Sequence, residues 1–521
     1  MFYSLHTIWH LVLLAVGLAV FAAVSWQWPK LAAWLVIFLA PLYLLKIGNW
    51  PLTVLEALIW VLVGAWVVRK IKTGNKSLFT PLQFRPRIFG IPTKSGEAAS
   101  LYNIGAIESV VGIEAGQAFL YEREGQILDS RFRGNDKCAA GMTKEKFSAI
   151  KKSGLFWPIL LILAGVILSA LFSRDIAVGL GIFKSWFLAP LLFAWVFNNI
   201  FEGDEGVKTL LAALTASAVG TALIGFVYLI SGRLTFDGRL AAFYLSPNHL
   251  AMWLAPGLIV GWGLWFETKK IWQKVILFLV SCFLFLVLYF TYSYGAWLGL
   301  AVAAVFTLFY LWRLKLINWH HLFLVSCFLF LVFASIIFLQ LGGSHNEKLT
   351  DLLISSRSSW QSRLMIWQSA VEILKNHWLF GIGPGLFQKY YLEYQKYFSV
   401  PYLEWAVPQP HNLFLAWWLQ TGLAGFIGFI WLVVSFFKQA MLAIKHSTPT
   451  ISPSPREGEK KRGWVLASAT KQPLIIFSMA VMVYFLVHGL VDTTFWKNDL
   501  ALLFWVVIFS LRGVFWRNNV A

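Results

Sequence analysis

Charged residues are scarce in this chain of 521 residues, because Asp, Glu, Lys and Arg together make up only 13% of it. An ordinary soluble domain carries nearer a quarter of charged residues. Hydrophobic residues make up 59% of the chain. This composition excludes an ordinary soluble globular protein.

Cysteine is also scarce. The three cysteines, Cys138, Cys282 and Cys327, are far apart, and the last two lie inside apolar runs. Neither a disulfide framework nor a cysteine-based metal site has this spacing. We therefore expect no metal at cysteine ligands.

Acidic residues are fewer than basic ones, 24 against 43, which gives a net charge of +19. A nucleic-acid partner is not expected, since the basic residues cluster in short segments between apolar runs, where the positive-inside rule accounts for them. These clusters predict a cytoplasmic face that also attracts anionic lipid headgroups. They are Arg69-Lys70-Lys72, Lys269-Lys270-Lys274, Arg313-Lys315 and Lys460-Lys461-Arg462.

Long apolar runs, by contrast, recur from end to end, each of about 20 residues, which is enough to cross a hydrocarbon core of about 30 Å. Only helices satisfy every backbone group within such runs, so we predict an all-α polytopic membrane protein with about 12–13 transmembrane helices. The first run lacks a basic n-region and a cleavage site, which favours a retained span over a signal peptide. The runs are 5–25, 31–47, 51–68, 154–172, 177–197, 208–230, 248–266, 272–291, 295–312, 322–340, 412–437, 473–491 and 499–516.

Polar stretches between the runs divide the chain into five predicted parts. The stretch 73–152 and the linker 446–463 lack periodicity and are expected to be disordered and cytoplasmic. Alternation of sides then puts 231–247, 341–411 and 492–498 on the opposite, outer face. The parts are N-terminal transmembrane helices 1–72, the polar insertion 73–152, a transmembrane core 153–340, a large outer loop 341–411 with short amphipathic helices, and C-terminal transmembrane helices 412–521.

The outer loop 341–411 carries Arg357, Arg363, His377 and His411. Guanidinium groups bind phosphate oxygens in pairs, and a neutral imidazole accepts a proton near pH 7. The loop therefore predicts a site for phosphate binding and proton transfer. Taken singly, an arginine beside a span more often only reaches the headgroups, and His411 could simply cap the next helix.

A helix is predicted after Arg363, because Leu364, Trp367, Val371 and Leu374 follow helical spacing. This stripe should face the membrane surface or the helix bundle. The run Gly381–Gly385 lacks a Walker lysine and follows no strand, so it is predicted to be a turn and not a phosphate loop.

A second outer segment contains Arg233 and Arg239, followed by Pro247-Asn248 at the start of the next run. Pro247 and Asn248 are a helix-start signal, and the positive end of that helix dipole would point outward. Both arginines are candidates to join the site.

The motifs in their order resemble the O-antigen ligase and polymerase family. They are Arg239 with Asn248, Ser293-Tyr294-Gly295, Arg363-Leu-Met-Ile-Trp367, Trp378-Leu-Phe-Gly381, His411-Asn412-Leu and Thr421-Gly422-Leu423-Ala424-Gly425, within residues 154–516. The resemblance implies a bacterial inner-membrane glycosyltransferase of the GT-C type. Such enzymes move a glycan from undecaprenyl diphosphate to an acceptor on the periplasmic face.

The resemblance also implies roles for individual residues. His411 matches the essential histidine of the family, and Arg239 and Arg363 match arginines that hold the diphosphate, with Arg233 competing for the role of Arg239. Asn412, Trp367 and Asn248 belong to the same motifs and are expected to support the site. No cofactor and no metal are expected.

Two features concern the fit to the family. Tyr294 stands where many members have an arginine, so this motif predicts no catalytic residue. The resemblance implies twelve spans and an inner N-terminus, whereas thirteen runs would place the N-terminus outside.

The most evident acidic pair, Asp204-Glu205, falls on the inner side and is predicted to be a solvated turn.

Several functions remain open at this point. Ligase, polysaccharide polymerase and protein O-oligosaccharyltransferase share the same donor chemistry, with a glycan, lipid or protein as acceptor. A lipid-linked glycan transporter would need ionisable residues inside spans. Glu56 and Lys184 are the main candidates, and no partner for either is evident in the sequence. A scaffold for envelope assembly is the third class.

Overall fold

The computed structural model describes residues 3–4, 8–47, 52–72, 154–201, 204–320, 359–395, 405–446 and 471–510. About 80% of these residues are helical, which confirms the all-α polytopic fold. The N-terminal helices are α1 (Ile8–Gln27), α2 (Pro29–Phe38), α3 (Val54–Lys72), α4 (Phe156–Leu171), α5 (Ile176–Ile182), α6 (Ala189–Ile200), α7 (Asp204–Ile230) and α8 (Pro247–Glu267). The remaining helices are α9 (Ile271–Tyr289), α10 (Tyr294–Arg313), α11 (Ser359–Asn376), α12 (Phe387–Tyr394), α13 (Leu413–His446), α14 (Lys471–His488) and α15 (Asn498–Ser510).

Seven helical stretches among the described residues are long and apolar enough to cross a membrane. They are Trp9–Gln27, Ile176–Ile200, Asp204–Ile230, Pro247–Glu267, Ile271–Tyr289, Tyr294–Arg313 and Leu413–Lys445, and a π-helical turn, Phe183–Leu188, joins α5 to α6 in the second of them. Shorter apolar helices form α2, α4, α14 and α15. The predicted run 322–340 lies outside the described residues, so the count of 12–13 spans stays a prediction.

The predicted span 31–47 is not one helix. α2 ends at Phe38, a 3-10 turn covers Ala40–Leu44, and Leu45–Lys46 (β2) pairs in parallel with Tyr3–Ser4 (β1). Pro41 explains the break, because a proline removes a backbone donor and disfavours helix at the residue before it. An apolar run therefore does not guarantee a straight helix.

The bundle is centred on α8, whose residues are buried along most of its length. It packs against α7, α9, α10 and α14. Most residues of α1, in contrast, are exposed, and they include large apolar side chains such as Trp9 and Leu13, as expected of a helix that faces lipid. The position of α8 matters for function, because its first residues carry Asn248.

A break in α13 fixes the loop that precedes it. Gly422 has φ 67° and ψ −178°, which interrupts the helix. The predicted turn Gly381–Gly385 docks at this break: Ile382 N–H donates to Leu419 O (2.7 Å), and Leu423 N–H donates to Leu379 O (2.9 Å). Gly381 and Gly422 both have positive φ and lie against each other's backbones, where a side chain would not fit.

The helix predicted after Arg363 is α11, and its predicted apolar stripe lies partly on the surface and partly in the core. Ile366, Ala370 and Ile373 are buried, whereas Leu364 and Val371 are exposed. α11 thus packs on α12 and α13 through one face, and of the predicted stripe Leu374 joins this core while Trp367 is half-buried.

The chain divides into two compact units. One consists of residues 1–67 together with 153–521, and the other of residues 68–152. Of the second, the described residues are only 68–72, at the end of α3. The predicted disordered insertion 73–152, most of the linker 446–463 and the candidate Arg357 lie outside the described residues.

Candidate active site

A turn between α14 and α15, residues 489–497, carries the carboxylate at the centre of the site. Asp492 is nearly buried, with 7% of its side chain exposed. Its Oδ2 accepts a hydrogen bond from Asn248 Nδ2 (2.9 Å), and its Oδ1 accepts one from Thr493 N–H (2.8 Å). The same Oδ1 lies 3.1 Å from His411 Nδ1. One carboxylate therefore joins residues that are far apart in the sequence.

His411 is held where the chain enters α13. Asn412 Oδ1 accepts the Leu415 N–H (3.0 Å) and caps the helix, while Asn412 Nδ2 donates to Leu490 O (2.9 Å). Leu413 N–H donates to Gly489 O (2.6 Å). The entry to α13 is thus tied to the turn that carries Asp492, which sets the distance of His411 from this carboxylate. About a third of the His411 side chain, 34%, stays exposed.

Arg239 lies on a tight turn of the segment between α7 and α8. Thr235 N–H donates to Arg239 O (2.9 Å), and Thr235 Oγ1 accepts the Arg239 N–H (3.1 Å). Gly238, with φ +71°, completes the turn. The guanidinium donates from Nε to Thr291 O (2.8 Å) and from Nη2 to Asn248 Oδ1 (2.7 Å).

Asn248 connects Arg239 to Asp492. Its side-chain oxygen accepts from Arg239, and its side-chain nitrogen donates to Asp492. The predicted helix start is present, since Ser246 Oγ accepts the Asn248 N–H (3.2 Å) and Pro247 occupies the first turn of α8. The amide is therefore fixed at the N-terminus of the central helix.

Arg363 reaches the same turn from α11. Its Nε donates to Val491 O (2.9 Å), the carbonyl next to Asp492. One helical turn further on, Trp367 Nε1 donates to His411 O (3.3 Å). Arg239 and Arg363 are each anchored through Nε to a backbone carbonyl, an arrangement that fixes the direction of both guanidinium planes.

The five residues Arg239, Asn248, Arg363, His411 and Asp492 are called the Asp492 cluster below. Burial raises the pKa of Asp492, but the charge and hydrogen bond of His411, with His488 and Arg363, outweigh it and hold that pKa well below its usual value. Asp492 is therefore an anion. Burial lowers the pKa of Arg239, Asp237 opposes this, and Arg363 lowers it further. Two guanidinium groups and two carboxylates therefore meet here, since Asp237 Oδ2 lies 3.8 Å from Arg239 Nη1.

Backbone strain is concentrated here. Of the four non-glycine residues with positive φ among the described ranges, three are in or beside the Asp492 cluster: Ala242 (52°), Tyr292 (45°) and His411 (45°). Tyr292 follows the carbonyl that holds Arg239, and Ala242 lies between Arg239 and Asn248. Such conformations cost about 1–3 kcal/mol each and tend to occur at functional sites.

Two candidates from the sequence lie elsewhere. Arg233 is exposed at the end of α7, with its guanidinium 5.9 Å from the centre of the Tyr228 ring. His377 follows α11 and its ring lies edge-on to Tyr390, at 5.0 Å between ring centres. Neither contacts Asp492, so the structure separates Arg233 from Arg239.

A second polar cluster lies beside the first, and is called the Asp499 cluster. It consists of Tyr43, Tyr244, His249 and Asp499, all of them between 0% and 4% exposed. His249 Nε2 lies 3.4 Å from Asp499 Oδ2, and Tyr244 OH donates to the same oxygen at 3.5 Å. Tyr43 OH lies 3.2 Å from His249 Nδ1.

Glu56 and Lys184 have partners that the sequence did not reveal. Lys184 Nζ lies 3.5 Å from Glu56 Oε2, and Asn498 Nδ2 donates to Glu56 Oε1 (2.7 Å). The acidic pair Asp204-Glu205 is also not a turn, because both residues begin α7, where acidic side chains suit the helix dipole. Glu205 binds Lys30 at 2.6 Å.

Asp492 and Thr291 are the members of the site that motif reasoning missed. Thr291 contributes only its carbonyl, which no sequence pattern marks. Asp492 had a usable signal: it is the acidic residue directly after the apolar run 473–491, on the side predicted for His411. The electrostatic need of two arginines for a buried counter-charge points to such a residue.

Residues 277–430 match the model of a protein family described as O-antigen ligase. This match confirms the resemblance predicted from the sequence over this part of the chain. The matched range contains Arg363, Trp367, His411 and Asn412, whereas Arg239, Asn248 and Asp492 lie outside it and join the site through the contacts described above. No curated protein matches the chain.

The similarity to the O-antigen ligase family and the apolar helices support a multi-pass membrane protein of polysaccharide biosynthesis. They support a glycosyltransferase of the O-antigen ligase or polymerase type. Among the described residues, no three His, Cys, Asp or Glu side chains are grouped as a metal site.

Proposed function

We propose that the protein transfers a glycan from an undecaprenyl diphosphate carrier to an acceptor, as an O-antigen ligase-like enzyme at the periplasmic face of the inner membrane. The observation that carries this proposal is the convergence of Arg239, Arg363 and His411 on the turn around Asp492. These three residues come from separate segments, and each has the chemistry that the transfer needs.

Arg239 and Arg363 bind the diphosphate. Their Nε atoms are held by backbone carbonyls, so the terminal nitrogens are directed and not free to rotate away. As the glycosidic bond breaks, negative charge grows on the leaving diphosphate. Fixed positive groups that meet this developing charge are the largest stabilising contribution such a site makes. The two guanidinium groups fill this role without a metal ion.

His411 accepts the proton of the attacking group. With Asp492 Oδ1 accepting the Nδ1–H of His411, Nε2 is left with its lone pair. The acceptor oxygen then attacks the anomeric carbon, its proton passes to Nε2, and the bond to the diphosphate breaks with its electron pair going to the diphosphate. One direct displacement inverts the anomeric centre and requires no protein nucleophile.

The donor chemistry is common to ligases, polymerases and protein O-oligosaccharyltransferases, so the proposal names the donor and leaves the acceptor as glycan, lipid or protein. A lipid-linked glycan transporter is less well supported. Its intramembrane candidates, Glu56 and Lys184, are paired with each other, as in a structural contact.

The test is transfer by the purified protein in liposomes with undecaprenyl-diphosphate-linked glycan and an acceptor. His411→Ala should reduce glycan transfer by at least about 100-fold, the usual effect of removing a general base. His377→Ala, a histidine from the same loop segment, is the matched control and should transfer normally. Normal transfer by His411→Ala would refute the base assignment, and movement of intact donor without product would favour a transporter.

A further inference from the structure

One stripe of α11 carries two tryptophans on either side of Arg363. Trp360, Arg363 and Trp367 are three and four residues apart, so their side chains follow one another along the same side of the helix. Their stripe borders the face formed by Ile366 and Ala370, which is buried in the core.

The two indoles form a corner. The ring centres of Trp360 and Trp367 are 5.5 Å apart, and their planes meet at 87°. Trp367 is partly buried and donates to His411 O (3.3 Å). Trp360 is 45% exposed. An aromatic surface therefore extends from the backbone of the proposed base, past Arg363, to the surface of the protein.

We propose that Trp360 and Trp367 form a wall against which a pyranose ring of the glycan substrate packs. This inference rests on the proposed function. The apolar C–H face of a sugar ring packs well on an indole, while its hydroxyl groups stay available to polar partners. Sites for small ligands commonly combine aromatic walls with a few placed polar groups.

The position of the wall favours a sugar over a lipid as its occupant. In the proposed reaction the anomeric carbon must lie between the diphosphate at Arg363 and the base His411. Trp367 contacts the backbone of His411, and Arg363 lies between the two indoles along α11, so the wall borders this space. A tryptophan that only anchors the protein among headgroups would need neither Arg363 nor His411 beside it.

The experiment compares Trp360→Ala and Trp360→Phe in the liposome assay, with donor and acceptor varied separately. Trp378→Ala is the matched control, because Trp378 follows the same helix and is 52% exposed. Trp360→Ala should raise KM for one substrate about tenfold, and Trp360→Phe should recover part of this loss. A rise for the donor assigns the wall to the donor sugar, and a rise for the acceptor assigns it to the acceptor sugar.

Two results would contradict the proposal that this wall binds a sugar ring. One is a KM within twofold of wild type for both substrates in Trp360→Ala. The other is an equal loss in Trp378→Ala, which would indicate anchoring in the headgroup region.

A binding measurement separates this inference from the proposed function. Glycan released from the donor lipid and the glycan of the acceptor are each titrated calorimetrically into the wild-type protein and Trp360→Ala. Weaker binding of either glycan by Trp360→Ala, with no transfer by wild type, would contradict the proposed function and support the wall. Equal binding of both glycans, or binding of neither by either protein, would contradict the wall.

Discussion

The Asp492 cluster and the Asp499 cluster are only a few residues apart along the chain, and both contain a histidine beside a buried carboxylate. They differ in exposure and in charge. Asp499 and His249 are at most 1% exposed and are surrounded by Tyr43 and Tyr244. His411 is 34% exposed and is accompanied by two arginines.

A buried polar group in a membrane protein is therefore not by itself a functional site. A structural contact requires a closed set of partners, because each buried polar atom must find a hydrogen bond. An active site also needs access for a substrate and charged groups held in fixed directions. Among the described residues the Asp492 cluster combines these properties.

Among the variants that compare the two clusters, a change of Arg363 should reduce glycan transfer most. Arg363→Lys keeps the charge but cannot reproduce a guanidinium that is held through Nε at Val491 O and offers a planar fork to the proposed diphosphate. Transfer should fall by about 100-fold, the size of effect seen when one stabilising donor is removed.

Arg174→Lys is the matched control for this change. Arg174 also has a fixed partner, Glu393 at 2.5 Å, but lies outside the Asp492 cluster. Its conservative variant should transfer like the wild type. Full activity of Arg363→Lys would mean that Arg363 does not recognise the diphosphate. The two clusters would then differ less in function than proposed.

A smaller effect, of a different kind, is expected at Asp499. Asp499→Ala leaves His249 and Tyr244 without their shared acceptor, and an unsatisfied buried group costs about 1–3 kcal/mol. The melting temperature should fall, and Asp499→Asn, which keeps an acceptor oxygen, should fall less. Transfer per folded molecule should be retained, since the Asp499 cluster has no proposed role in the chemistry.

Thermal unfolding and transfer should be measured on the same preparations of these variants. The contrast between the clusters would be wrong if Asp499→Ala melted normally and yet lost transfer. In that case the Asp499 cluster would take part in the reaction.

The sequence predicted the fold class and much of the site for physical reasons that can be named. Apolar length fixes the helices, and Pro247 with Ser246 fixes the start of α8 and so the place of Asn248. His411 and Arg363 carry chemistry that a loop between spans has little other reason to combine. These features are local, so they can be read from short stretches of sequence.

Other features depend on contacts between distant segments. The break of the run 31–47, the exposed Leu364 and Val371 on α11, and the pairing of Glu56 with Lys184 follow from packing that local patterns do not contain. The same holds for Asp492. Its role follows from four separate segments meeting at one turn, and so becomes evident only in three dimensions.

The most direct test of the central claim is the transfer rate of Asp492→Asn. Asn has the shape of Asp but lacks the negative charge that holds His411 and balances the two arginines. The account predicts that kcat falls by about 100-fold or more, in the range found for acid–base catalysis. Because Asn has one acceptor oxygen where both oxygens of Asp492 accept hydrogen bonds, the melting temperature should also fall, and kcat is therefore taken per folded molecule. A kcat within twofold of wild type would contradict the claim that Asp492 organises the active site.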